Sequence, residues 1–156
     1  ELLFCCDTLI QLDKGKVINQ GASAHVAKTI YANDRQTPLS LINYDVVKFD
    51  EDYGLYQLQL QQSEQPLFVL PALVDSSNKL LIESEQMSFS ALKPEQTTHS
   101  NVLRSVLTQA ELINNKWQLT LNVDGQTLYC LASRRVWDKN DFKVGDVLYT
   151  TISNLE

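Results

Sequence analysis

Glycine is scarce and scattered, with five residues at positions 15, 21, 54, 125 and 145. They build neither Gly-x-x-x-x-Gly-Lys-Ser/Thr nor Gly-x-Gly-x-x-Gly, so this segment is not expected to cradle a nucleotide phosphate or to hydrolyse one. Histidine is scarcer still: His25 and His99 form no His-Glu-x-x-His pair, and Cys5, Cys6 and Cys130 form no Cys-x-x-Cys. A catalytic metal is therefore not expected. The odd cysteine count, with two of the three adjacent, excludes a disulfide framework and points to a reducing, cytosolic compartment. No apolar run reaches the ~18–20 residues of a membrane span, and no basic stretch followed by an apolar h-region opens the chain. Positive charge is in deficit, 13 Lys+Arg against 19 Asp+Glu for a net charge of −6, which argues against a nucleic-acid backbone as partner. The deficit is local. Residues 1–96 hold 7 basic and 13 acidic side chains and residues 97–156 hold 6 of each, so the C-terminal third is the less repulsive host for a small anion.

What is present suffices for a core. At 156 residues and 44% apolar composition, the chain fits one compact unit or two small ones sharing a core, and roughly 70% of its unfolded surface is expected to be buried. Glu1 in place of methionine and the apolar Leu2, Leu3 and Phe4 suggest a chain that begins inside a longer polypeptide. Residues 1–6 read as a helix end, and residues 8–12 and 16–20 flank Asp13-Lys14-Gly15 as a hairpin that Gly21 stops. Ser23 is placed to cap a helix running to Ile30. The polar stretch 32–39, with Pro38, reads as a linker.

Beyond it the period becomes two. Trp117, Leu119, Leu121 and Val123 alternate with Gln118, Thr120, Asn122 and Asp124, as in a half-buried strand, and Asp124-Gly125 turns the chain into an antiparallel return over 126–131. Tyr56, Leu58 and Leu60 alternate with glutamines in the same manner. Residues 56–60 match 117–121, and 65–70 match 126–131, both at an offset of 61, which reads as an internal duplication with repeats at about 40–92 and 97–156. Each hairpin leads into a polar segment (74–78; 134–140) and a last strand (79–84; 146–152), with a short helical turn from Asp138 plugging a barrel end. The expected fold is mainly β, two small OB-like barrels in tandem preceded by a short helix and a hairpin.

Two polar clusters in the second repeat carry the remaining chemistry. Thr97, Thr98, His99, Ser100 and Asn101 precede the strand from Val102, and Ser133, Arg134 and Arg135 end a hairpin strand. Hydroxyls, amides and an arginine fork can wrap a tetrahedral oxyanion. The plainer reading is an ordinary loop, His99 included, with solvated arginines. Asp50, Glu51 and Asp52 read as a solvated turn rather than a calcium site.

The stretch from Asp7 to Gly21 (Asp-Thr-Leu-Ile-Gln-Leu-Asp-Lys-Gly-Lys-Val-Ile-Asn-Gln-Gly) resembles the segment that closes the nucleotide-binding domain of ABC transporter ATPases. Met87-Ser88-Phe89-Ser90 through Thr97, Asn101-Val102-Leu103 and Val123-Asp124-Gly125-Gln126-Thr127-Leu128 resemble the C-terminal region of the ATP-binding subunit of molybdate importers. The resemblance implies that residues 1–31 are the tail of an α/β ATPase domain, 32–39 a linker, and 40–156 a regulatory region of transport-associated OB-type and Mop-like β-folds. It also implies ATP and Mg in the parent protein, none in this segment, and molybdate or tungstate as ligand. Membrane permease subunits and a second copy of the chain are the implied partners, at the cytoplasmic face of the inner membrane. In Mop-like folds a Thr-Ser-x-Arg-Asn loop and a Thr/Ser-Lys/Arg segment bind the oxyanion, often at a subunit interface. Here the positions are Thr97, Thr98, Ser100 and Asn101, with Ser133 and Arg134, Arg135 standing beside them. Ser100 replaces the arginine and brings no charge. The rival readings are a free-standing oxyanion store and an OB-type binder of single-stranded nucleic acid, the second opposed by the net charge.

Overall fold

A computed structural model describes residues 8–13, 16–22 and 38–156. The readings of helix over 1–6 and 23–30, and most of the linker, lie outside the described residues. The early hairpin is present: β1 (Thr8–Asp13) pairs antiparallel with β2 (Lys16–Ala22), which runs one residue past Gly21.

The remainder is mainly β, in two antiparallel sheets. β3 (Leu39–Asp50), β4 (Leu55–Leu60), β5 (Pro66–Val69) and β6 (Lys79–Glu83) form the first, in the order β5-β4-β3-β6. β7 (Met87–Ser90), β8 (Val102–Ile113), β9 (Lys116–Val123), β10 (Gln126–Ser133) and β11 (Val147–Ile152) form the second, in the order β10-β9-β8-β11-β7. The first four strands of each sheet follow one path. β7 has no counterpart in the first sheet; it precedes residue 92 yet pairs with β11 of the second.

The pairing registers refine the offset. A bulge at Val47 separates the pairs Val46↔Leu58 and Lys48↔Gln57, and one at Thr108 separates Leu107↔Leu121 and Gln109↔Thr120. The bulges stand 61 apart while Leu58 and Leu121 stand 63 apart. The offset of 61 therefore does not hold for residues 56–60: Leu58 answers to Leu121, not Leu119. The two missing residues lie in the turn, because β4 and β5 are joined through residues 61–65 whereas β9 and β10 close through Asp124 (φ 50) and Gly125 (φ 99), the positive pair of a tight hairpin. Asn114 and Asn115, also at positive φ, make a second tight turn, between β8 and β9, that the sequence reading passed over.

Alternation fills the core as expected. Leu119, Leu121 and Val123 are fully buried, as are Leu58, Leu103, Leu107 and Leu148, and side chains of both sheets form one contiguous cluster. The helical turn expected from Asp138 is longer and earlier: α1 (Arg134–Asn140) is capped by Ser133, whose hydroxyl accepts the Val136 N–H at 3.3 Å. Its Trp137 stacks on Trp117, ring centroids 4.6 Å apart, and leans on Phe142, which covers one end of the core.

The sheets are joined by reciprocal side-chain bonds. Gln65 takes both backbone groups of Arg104, accepting its N–H (2.6 Å) and donating to its C=O (3.0 Å). Gln126 does the same to Asn43, at 2.6 and 2.8 Å. Asn101 accepts the Phe68 N–H at 2.7 Å and donates to the Phe68 C=O at 2.8 Å, and Ser40 accepts the Tyr129 N–H at 2.8 Å. Each of these four residues lies 61 from its counterpart, and each reaches the opposite sheet. On the pseudo-two-fold axis the counterparts Ser63 and Asp124 meet each other, the hydroxyl donating to the carboxylate at 2.5 Å.

Hydrogen bonds from Gln65 and then Ser63 hold the Asp124 carboxyl below its ordinary value. A lowered folded-state value means that this stabilisation is complete above the ordinary aspartate range and drains away as pH falls through the folded value. The urea midpoint of the natural chain should therefore drop across that acidic window, and Asp124→Asn should flatten part of the drop. Parallel profiles of the two proteins would remove Asp124 from the joint.

Candidate functional site

Asn101 heads β8 and is fully buried. A fully buried amide that spends its carbonyl and one N–H on a single peptide unit is committed to joining the two sheets, so Asn101 is a clamp between them. Ser100, next to it, turns outward. Its N–H and Oγ both donate to Glu156, to one carboxylate oxygen at 3.0 Å and the other at 2.7 Å. Those bonds, the hydroxyl's first, hold the Glu156 carboxyl below its usual range, with His99 adding a favourable field. The position at which the resemblance places an arginine thus faces a carboxylate. Thr97 is used locally, its hydroxyl accepting the His99 N–H at 3.1 Å, and Thr98 is exposed.

The second cluster stands elsewhere. Ser133 caps α1, Arg134 lies 3.7 Å from Asp138 one turn on with both side chains largely exposed, and Arg135 is exposed. Such an exposed pair contributes little. β10, which carries Ser133, meets Ser40 through Tyr129, whereas Asn101 meets Phe68 of β5. Among the described residues no hydrogen bond or ion pair joins the two clusters.

The acidic turn is only partly solvated. Asp50 is half-buried, its carboxylate accepts the Asp52 N–H at 3.1 Å, and its C=O accepts the Gly54 N–H at 2.8 Å. With Tyr53, Leu55, Phe68, Ser100 and Glu156 it lines a cavity of about 360 Å³. Sequence reasoning missed Asp50 and Glu156 as neighbours because 106 residues separate them. It missed Gln65 and Gln126 as clasps, although the offset of 61 aligned them. Among the described residues no three His, Cys, Asp or Glu side chains gather as metal ligands. Burial pushes the Cys130 thiol up to about 12, so it is inert at neutral pH.

No family model matches the chain. Two curated proteins, both named molybdenum import ATP-binding protein ModC, are similar to it. That of Escherichia coli is 26% identical and aligns with 99% of this chain and 45% of its own length; that of Haemophilus influenzae is 32% identical over 97 residues, 60% of this chain and 27% of its own length. The chain is similar to ModC along nearly its whole length. It spans less than half the length of these relatives. Among solved structures, a molybdate-bound form of the cytoplasmic molybdate-binding protein ModG shares the fold, with a TM-score of 0.55, 10% identity, and coverage of 73% of this chain and 88% of ModG.

If Asn101 is a clamp, Asn101→Ala strands the Phe68 N–H and C=O and should lower unfolding free energy by about 2–4 kcal/mol, with Ser40→Ala costing about 1–2 kcal/mol. Urea denaturation reads both, and a change in Asn101→Ala below about 0.5 kcal/mol would mean that the amide carries no structural weight.

Proposed function

We propose that this chain is the C-terminal regulatory and dimerising region of the cytoplasmic ATP-binding subunit of a molybdate or tungstate importer. In this reading residues 1–31 are the tail of the ATPase domain, 32–39 a linker and 40–156 the regulatory β-region. ATP and Mg act in the parent protein, which works with permease subunits at the inner membrane. The observation that carries the reading is the alignment of 99% of the chain with ModC of Escherichia coli; the shared fold with ModG supports it.

The side chains favour a scaffold over a sensor. An oxyanion bound at 97–101 needs donors and positive charge, but Asn101 is occupied by Phe68, Ser100 by Glu156, and the arginines lie on another element. The Glu156 carboxylate would repel an anion from the position at which the Mop-like pattern has an arginine. A scaffold shifts the motor's equilibrium only through contacts that differ between its open and closed states.

Sedimentation equilibrium should show a dimer at micromolar concentration, and titration calorimetry with molybdate, tungstate or sulfate at about 1 mM should show no saturable heat. A monomer at all concentrations overturns the dimerising role; stoichiometric heat from molybdate restores the sensor. The coverage of 88% of ModG favours a free-standing oxyanion store as the second reading. Codons upstream of Glu1 decide between the two: a phosphate-binding loop there supports the importer subunit, and a start codon supports the store.

A further inference from the structure

The cavity between the β3–β4 turn and the Ser100 loop has a chemistry of its own. It is lined by Tyr53, largely exposed, with Leu55, Phe68 and Ser100, and its charged groups are both carboxylates, Asp50 and Glu156. Among the described residues neither carboxylate has a cationic side chain within ion-pair distance. Each retains acceptor capacity. A carboxylate offers about four lone-pair positions, while Glu156 takes two bonds from Ser100 and Asp50 takes one from the Asp52 N–H. Those bonds also orient the two groups, so less freedom is lost when a donor arrives.

We propose that this cavity is a binding site for an organic cation, specifically a guanidinium group lying against the aromatic side chains of its lining with its N–H donors on Asp50 and Glu156. A planar, weakly hydrated cation with a forked set of donors suits aromatic walls and carboxylate ends better than a compact ammonium does. The site therefore selects the charge opposite to that of an oxyanion. The proposal rests on the cavity alone and stands or falls independently of the importer reading. Its ligand comes either from a small guanidinium compound or from an arginine side chain of another polypeptide.

The test is titration of the whole chain, followed by amide NMR shifts, with ethylguanidinium and with its neutral isostere ethylurea. Ethylguanidinium should shift the Phe68, Ser100 and Glu156 amides saturably with a Kd of about 1–10 mM, and ethylurea should not. Asp50→Asn keeps the acceptor for the Asp52 N–H, and Glu156→Gln keeps the acceptor for the Ser100 N–H while its amide N–H donates to the Ser100 hydroxyl; each should weaken binding at least tenfold. A short neutral peptide with one arginine that binds at least tenfold tighter than ethylguanidinium assigns the ligand to a polypeptide, and equal affinity assigns it to a small molecule. Equal binding of ethylurea, unchanged affinity in both variants, or molybdate shifting the same amides would overturn the proposal.

Discussion

Each four-strand path begins, in sheet order, with an edge strand that no further strand pairs, β5 in one and β10 in the other, and covering those two edges is the constraint on which the rest of the molecule depends. An exposed edge is a template for aggregation and a row of unsatisfied backbone groups. Here β5 and β10 are closed by each other's sheet. Asn101 takes both polar groups of Phe68 on β5, and Ser40 takes the N–H of Tyr129 on β10. Gln65 and Gln126 reach back the other way onto β8 and β3. Neither sheet is complete without its neighbour, which is why one hydrophobic cluster runs through both. The polar seam adds direction to that cluster: apolar packing alone tolerates sliding, whereas a side-chain amide bonded to one specific peptide unit sets a register.

This constraint consumes the residues that otherwise look like a site. Asn101 and Ser40 stand at equivalent places at the start of the first strand of each path, so a polar residue there has a structural reason before any ligand is invoked. Ser100 is released by the turn that buries Asn101, and it spends both donors on Glu156. The hydroxyl and backbone donors of this loop thus face an acidic side chain. Similarity to ModC extends along the chain, but specificity resides in the site rather than in the fold.

Alternation made β4, β9 and β10 legible in the sequence, since a half-buried strand must repeat every second residue, and Asp124-Gly125 marked its turn because that pair tolerates positive φ. The offset of 61 was read from the hairpins, and the registers shift it by two at residues 56–60. Alternating Leu-Gln strands match each other equally well at any even shift, and only the bulges at Val47 and Thr108 break the tie. α1 began four residues earlier than expected because Ser133 was read as a ligand and not as a cap, two roles that use the same hydroxyl. The pairing of Asp50 with Glu156 across one cavity was not legible, for no local pattern links a turn tip to the far end of the chain.

The edges beyond the seam differ, and the difference limits how a second copy can attach. In the second sheet β11 is covered by β7. In the first, β6 occupies the corresponding position, and its pairs with β3 alternate between inward and outward backbone groups. Of the outward N–H groups at Lys79, Leu81 and Glu83, the first is taken by the Ser77 hydroxyl at 3.3 Å and the last by the Gln86 side-chain carbonyl at 2.9 Å. Side-chain acceptors at both ends leave too short a ladder for a full-length strand to add, a common way of blunting an edge. The β6 edge is thereby blunted against a second copy, whereas the apolar groups at and beyond each bulge, Val47 and Phe49 on one arm and Leu112 and Ile113 on the other, are exposed.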